Sequence, residues 1–208
     1  GDEIQAQAGV KLSTLARIAS FHSLSGLEFA EGIPGSLGGA LVMNAGAYNG
    51  EMQGIVTEAT AVGPDGSLKT FKPKEIEFNY RHSVFQNNGY FVLAARLQLV
   101  YDERDRIESR MQEFARRREE KQPLDKPSAG STFKRPPGFY VGSMLEELGL
   151  KGYSIGGAQV SRKHAGFIIN NGNATAGDVL QLIDYIQQKA GERFGVELQT
   201  EIRVVGED

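Results

Sequence analysis

Four short stretches of this 208-residue chain combine side chains that could do chemistry. The first runs Gly32-Ile33-Pro34-Gly35-Ser36-Leu37-Gly38-Gly39-Ala40 and is followed by Asn44-Ala45-Gly46-Ala47. Glycines ahead of a helix start expose backbone N–H groups, which can hold a phosphate or a flat polar ring. The same residues could instead make a tight turn with close helix packing, although small residues as far as Ala47 favour backbone pressed against a ligand. The dinucleotide fingerprint Gly-x-Gly-x-x-Gly and the phosphate loop ending in Gly-Lys-Ser/Thr are both missing. The second stretch is Asn79-Tyr80-Arg81-His82-Ser83. Its arginine offers a planar fork for a carboxylate or phosphate, or is a surface arginine beside a packed tyrosine. His82 could be a base or a structural residue. The third, Pro127-Ser128-Ala129-Gly130-Ser131-Thr132-Phe133-Lys134, holds the Ser131 hydroxyl at an exposed turn with Lys134 three residues on. Penicillin-recognising acyl enzymes use Ser-x-x-Lys with the serine opening a helix. Here Pro136-Pro137 stops any helix, and the companion Lys-Thr-Gly is missing. The fourth is Leu198-Gln199-Thr200-Glu201-Ile202-Arg203-Val204. Alternation sets Glu201 and Arg203 opposite Leu198, Ile202 and Val204, as solvated strand charges or with Glu201 aimed into a cleft.

The elements that must position these residues are legible as periodic patterns. Residues 11–22 read as a helix with Leu12, Leu15, Ala16 and Ala19 on one face. Residues 55–62 and 67–71 read as a hairpin through Gly63-Pro64-Asp65-Gly66. A long strand follows at 90–100. A charged helix at 102–121 carries the apolar stripe Ile107, Met111, Phe114, and its Arg116-Arg117-Arg118 run reads as a solvated face. Residues 122–138 hold Pro123, Pro127, Pro136 and Pro137 and read as an ordered loop beside a domain boundary. A short helix at 140–148 and strands at 157–160 and 167–169 come next. Thr175 with Asp178 opens a helix as a capping box, with Val179, Leu182, Ile183 and Ile186 inward and a stop before Gly195. Residues 196–205 read as the last strand. No internal repeat is visible. Strands and helices mix without a βαβ period, which makes the fold class α+β. Ile4, Ala6 and Ala8 alternate like the middle of a strand, and the expectation is that the chain is a fragment.

Composition narrows the function classes. Hydrophobic residues at 40% and charged residues at 24% are the balance of a soluble globular protein. A net charge of −3 gives no global argument for nucleic acid or an anionic membrane. The absence of cysteine removes disulfides, thiolate metal sites and a cysteine nucleophile, and fits a reducing compartment. No apolar run approaches the ~20 residues of a membrane span, and Gly1-Asp2-Glu3 does not resemble a signal peptide. The expectations are a cytoplasmic monomer with no metal.

Taken in order, the motifs are more specific than any one alone. Gly-Ile-Pro-Gly-Ser-Leu-Gly-Gly-Ala, Asn-Ala-Gly-Ala-Tyr, Tyr-Arg-His-Ser-Val-Phe, Ala-Gly-Ser-Thr-Phe-Lys-Arg-Pro, Lys-His-Ala-Gly-Phe and Glu-Ile-Arg-Val follow one another along the whole chain. That series resembles the UDP-N-acetylenolpyruvoylglucosamine reductase family, in the shorter type found in many Gram-positive bacteria. The resemblance implies the second half of a vanillyl-alcohol-oxidase-type FAD-binding domain at 1–121 and an α+β substrate-binding domain at 122–208. It implies FAD reduced by NADPH, then hydride transfer to an enolpyruvyl group, with UDP-N-acetylmuramate as product.

Carried over position by position, Ser131 matches the family's proton donor. Arg81 and Glu201 match the pair that polarises the substrate carboxylate. Tyr80, Lys121, Lys134 and Arg135 fall at substrate contacts. Gly32, Ile33, Pro34, Gly35, Ser36, Gly38, Gly39, Asn44, Ala45 and Gly46 fall at the flavin. Two departures stand out. The family's first flavin subdomain, whose glycine-rich turn binds the FAD pyrophosphate, is not among these residues. Arg135 also stands where the other enzyme type has an asparagine, which reads as a type difference. The competing readings are a truncated, non-catalytic UDP-sugar-binding fragment without flavin, and an oxidase of the same flavin superfamily. The Ser131, Arg81 and Glu201 set argues against the oxidase.

Overall fold

The computed structural model describes residues 1–206, so residues 207 and 208, which close the expected second domain, lie outside it. The chain divides into two compact units, Gly1–Arg118 and Glu119–Asp208. The first contains β1 (Glu3–Gln7), α1 (Leu12–Phe21), β2 (Leu24–Ser25), α2 (Leu37–Met43), β3 (Gly46–Ala47) and β4 (Gly50–Glu51). There follow β5 (Val56–Val62), β6 (Leu68–Phe71), α3 (Pro73–Ile76), β7 (Phe91–Gln98), β8 (Val100–Tyr101) and α4 (Arg104–Lys121), whose last three residues count with the second unit.

A four-stranded antiparallel sheet in the order β1-β7-β5-β6 forms the frame. The 3.6-residue period of α1 buries Leu12, Leu15, Ala16 and Ala19. They join Leu37 and Leu41 of α2, Ala59 and Leu97 of the sheet, and Ile107 of α4 in one core. Each fully buried leucine or isoleucine contributes about 1.5–3 kcal/mol against solvation. The strand expected at 90–100 is split. Leu99 donates its N–H to Asp2, and β8 turns away to pair with β2.

The second unit contains β9 (Ser128–Ser131), α5 (Val141–Glu147), β10 (Ser154–Ile155), β11 (Ala158–Val160), β12 (Phe167–Asn170) and α6 (Ala176–Phe194). Its sheet runs β10-β11-β12-β9, antiparallel throughout. Leu182, Ile183 and Ile186 of α6 pack with Met144 and Leu145 of α5 over it. The capping box at Thr175 and Asp178 forms as the sequence indicates, and Gly195 closes α6 in the left-handed conformation. The Asp178 carboxylate also accepts the Gly157 N–H at 3.2 Å, tying the helix start to the turn before β11. That turn leaves no room for a side chain, because a Cβ on Gly157 would collide with the Gly172 carbonyl and the Ala174 N–H, both backbone. Gly157→Ala is therefore expected to lower the stability of this unit by about 1–3 kcal/mol, read as a lower urea midpoint at unchanged slope.

Three sequence expectations are corrected. Residues 196–205 do not form a strand. They make one bridge, Phe133 to Thr200, flanked by Lys134 N–H to Gln199 at 2.8 Å and Glu201 N–H to Thr132 at 2.9 Å. Pro136 and Pro137 lack the N–H groups that would extend the ladder. Leu198 is accordingly 1% exposed and Val204 68%, which breaks the expected alternation. Part of the 122–138 loop is the strand β9. Finally, Arg118 is not solvated. It is 8% exposed, and its guanidinium donates to the Gly32 carbonyl at 3.2 Å.

Candidate active site

The glycine-rich stretch builds α2 and the chain entering it. The expectation of free N–H groups at this helix start is corrected. Leu37 donates to Val10 and Gly38 to Ala8, both at 2.8 Å, and Gly39 donates to the capping Ser36 Oγ at 3.3 Å. The loop after β1 thus closes the first turn, and it can lie that near only over glycine, since a Cβ on Gly38 would sit 2.9 Å from the Ala8 Cβ. What remains open is a cleft of about 460 Å³ lined by Ala8, Gly9, Ser36, Gly39, Val42 and Phe91 among others. Gly35 is exposed, and a Cβ there would meet nothing within 4 Å. Small residues along one wall fit a flat ring laid against backbone, which is what a flavin requires. Ala45 and Gly46 serve the backbone, Ala45 through its bonds to Ala40 and Met52 and Gly46 through the β3–β4 pair.

Asn44 holds neighbouring protein groups in this structure. It caps α2 at φ 43° and is 1% exposed. Its amide nitrogen donates to Glu51 at 3.2 Å and to the Asn79 carbonyl at 3.1 Å, and its oxygen accepts the Gln53 N–H at 2.9 Å. The side chain is thereby committed to protein, and what it holds is the turn that carries Tyr80 and Arg81. That turn is a two-residue connection with reciprocal bonds between Asn79 and His82, and Arg81 sits in it at φ 52°. Ser83 Oγ and the Gln86 amide both donate to the Val42 carbonyl, and Gln86 also donates to the Arg81 carbonyl at 2.9 Å. The end of α2 and the Tyr80–Arg81 turn are one hydrogen-bonded assembly. Its tip presents the 51%-exposed Tyr80 ring with the Arg81 guanidinium 5.3 Å from the ring centre.

In the second unit, Ser131 is exposed and ends β9, paired with Phe167 of β12. The expected turn is thus a strand end, and Ser131 does not open a helix. Thr132 beside it is buried at 2%. Its N–H donates to Gly166 at 2.9 Å, and its hydroxyl accepts the Ile168 N–H at 3.2 Å. The Glu201 N–H on the Thr132 carbonyl then sets half-buried Glu201 one residue from the position opposite Ser131. Lys134 is half-buried on the same segment. The Arg135 guanidinium lies 3.8 Å from the Tyr140 ring centre, and Lys121 is exposed at the end of α4.

The segment opposite Ser131 depends on a neutral imidazole. His164 Nδ1 accepts the Gly166 N–H at 3.1 Å, and Gly166 in turn accepts from Thr132. Burial lowers the His164 pKa below its ordinary value. A lowered histidine binds fewer protons folded than unfolded between its two pKa values. Its stabilisation is complete above the unfolded value of about 6.5 and is lost as pH falls through the folded one. His164→Gln, which cannot titrate, is expected to show a flatter melting temperature than wild type between pH 7 and pH 5, measured by thermal denaturation.

A further network, which no motif signals, lies at the entrance to the glycine-rich stretch. Glu28, buried at 6%, accepts from Ser25 at 2.8 Å, Gly26 at 2.7 Å and Arg110 at 2.7 Å, and Arg110 also pairs with Asp102 at 2.6 Å. Burial alone would raise the Glu28 carboxyl, but these N–H, guanidinium and hydroxyl donors hold it below its ordinary value. Among the described residues no helix is long and apolar enough to cross a membrane, and no cluster of three or more histidines and carboxylates could hold a metal ion.

Residues 122–205 match the family model for the UDP-N-acetylenolpyruvoylglucosamine reductase C-terminal domain, and residues 1–72 match an FAD binding domain. The UDP-N-acetylenolpyruvoylglucosamine reductase of Syntrophomonas wolfei is 60% identical, over 100% of this chain and 69% of its own length. That of Caldanaerobacter subterraneus is 54% identical, over 100% and 68%. The crystal structure of UDP-N-acetylenolpyruvylglucosamine reductase from Thermus caldophilus superposes with a TM-score of 0.87 at 38% identity, covering 96% of this chain and 71% of that one.

Proposed function

The chain belongs to the UDP-N-acetylenolpyruvoylglucosamine reductase family of FAD-dependent oxidoreductases, and from that premise we propose that it forms the catalytic part of an enzyme reducing UDP-N-acetylglucosamine enolpyruvate with NADPH. The observation that carries this reading is the backbone pairing of residues 132–134 with 199–201, which sets Ser131 and Glu201 on adjoining segments. In this reading residues 1–121 hold the flavin and 122–208 the UDP-sugar, and the product is UDP-N-acetylmuramate made in the cytoplasm.

Ser36 and Gly39, with Ala8 and Gly9, are the residues of this chain that would lie against the flavin ring. FAD, when bound, supplies the hydride. The rest of the chemistry falls to side chains. Hydride addition conjugate to a carboxylate, at the far carbon of the double bond, pushes charge onto that carboxylate, and Arg81 stabilises the developing charge more than the starting one, which lowers the barrier. Such a contact is worth about 3–4 kcal/mol. Glu201 shares a proton with the same carboxylate. The Ser131 hydroxyl donates its proton to the neighbouring carbon. An alcohol is a weak acid in water, but an enolate-like carbon is a strong base, so a fixed position suffices. Tyr80, Lys121, Lys134 and Arg135 hold the substrate.

The test uses the full-length protein loaded with FAD. NADPH is expected to bleach the flavin absorbance, and the enolpyruvyl substrate is expected to restore it, with a product two hydrogens heavier by mass spectrometry. A bleached enzyme that never recovers its colour with this substrate would overturn the reading.

A further inference from the structure

Two tyrosines of the second unit are held ring against ring. Tyr153 directly precedes β10 and Tyr185 lies on α6; their ring centres are 4.7 Å apart and the planes 9° from parallel. Backbone fixes both positions. The Tyr153 N–H donates to the Leu150 carbonyl at 3.0 Å, and its own carbonyl accepts the Val160 N–H at 2.9 Å. Gly152 before it turns the chain at φ 80°, and a Cβ there would meet the Arg162 guanidinium at 2.7 Å. Tyr185 sits beside buried Ile186 in the middle of a 19-residue helix. The stack is therefore built into the fold of this unit.

The reductase reading gives this pair no task, and two phenylalanines would supply the same ring contact. What tyrosine adds is a phenol, and with it one-electron chemistry. Loss of an electron and the phenolic proton leaves a radical whose unpaired spin lies on the oxygen and on the ring carbons beside it. Tyr153 is 38% exposed and Tyr185 half-buried, so a dissolved oxidant reaches the pair. The Tyr185 hydroxyl is near enough to raise the Tyr153 phenol above its ordinary pKa, which places both hydroxyls at the same end of the stack. The ring carbons beside them then face each other. Other tyrosines have different neighbours. Tyr48 stacks on Phe114, Tyr90 meets Phe71 edge-on, and Tyr140 lies against the Arg135 guanidinium. None of those neighbours forms a phenoxyl radical.

We propose that Tyr153 and Tyr185 are a site of oxidative cross-linking, joined ring carbon to ring carbon as a dityrosine by a one-electron oxidant. Each phenol gives up one electron and one proton. The two carbons beside the hydroxyls form a single bond, and the hydrogen that each carried moves to its oxygen and restores the phenol. Two equivalents of oxidant are reduced, two protons pass to water, and the chain becomes two hydrogens lighter. The link staples the turn before β10 to α6 within one chain. It does not depend on the reductase reading.

The full-length protein, in dilute solution, is oxidised with photo-generated ruthenium(III) tris-bipyridyl, persulfate being the final electron acceptor. Two rings fixed in contact have an effective concentration far above that of chains meeting in solution, so linked monomer is expected to exceed linked dimer by about tenfold or more. It is read as a monomer two hydrogens lighter with dityrosine fluorescence, in which the tryptic peptides carrying residues 153 and 185 are joined. Tyr101 and Tyr140, 65% and 62% exposed, are the internal control, because exposure alone would send the reaction to them. Tyr153→Phe and Tyr185→Phe keep the ring stack and should melt near wild type, while each lowers the linked monomer by about tenfold or more. No linked monomer, a link that maps to another tyrosine pair, a product made mostly of dimers, or linked monomer that persists in both variants overturns the proposal.

Discussion

Ser131→Ala in the FAD-loaded enzyme is expected to leave flavin bleaching by NADPH within about twofold of wild type, while slowing product formation by about 10²- to 10⁴-fold. The split follows from what the hydroxyl is asked to do. It enters only when a proton is delivered to substrate carbon, so its removal leaves the first half-reaction intact. The lower bound reflects exposure: Ser131 lies at the surface end of β9, where water can replace a missing donor inefficiently. Folding should hardly notice the change, because the strand is anchored through buried Thr132 and its bonds to Gly166 and Ile168. A melting temperature near wild type with the half-reactions separated would locate the defect in proton delivery. Turnover of the substrate within tenfold of wild type would remove Ser131 from that role. Ser131→Cys, which restores a transferable proton at nearly the same place, should recover part of the rate.

How much of this was legible in the sequence depended on whether the deciding interaction was local. The capping box at Thr175, the stripe of α1 and the hairpin of β5 and β6 rest on residues a few positions apart, and they appear where the pattern puts them. Residues 196–205 carried strand-like alternation, but a strand needs a partner ladder, and Pro136-Pro137 on the partner segment denied it one. Arg118 looked solvated within a run of three arginines; the carbonyl it serves is that of Gly32, 86 residues away. Ser36, Gly38 and Gly39 did read as backbone that something approaches closely. The first thing to approach, however, is the loop at Ala8, which fills the helix start and leaves the cleft beside it. Motif order named a set of candidate site residues. It did not say which motif residues would face a ligand and which would hold the others in place.

Asn44 is where that distinction has the largest measurable consequence for folding. Asn44→Ala is expected to destabilise the protein by about 3 kcal/mol, a fall of roughly 6–12 °C in melting temperature. Three hydrogen bonds would be lost at once, to the Gln53 N–H, the Asn79 carbonyl and the Glu51 carboxylate, all on exposed residues. Each bond lost costs about 0.5–1.5 kcal/mol net. Alanine also fits the left-handed conformation at this helix end less well than asparagine. The same change frees the turn carrying Arg81, so turnover should fall further than the unfolded fraction accounts for. Asn44→Asp separates the two amide functions. It keeps the acceptor for Gln53 but sets a carboxylate against Glu51 and the Asn79 carbonyl, both acceptors. At neutral pH it should therefore melt no higher than Asn44→Ala. A loss below about 0.5 kcal/mol in both variants would mean that Asn44 does not hold the Arg81 turn. In that case the cost of its buried amide would have to be assigned to the flavin side of the cleft, as the motif alone suggested.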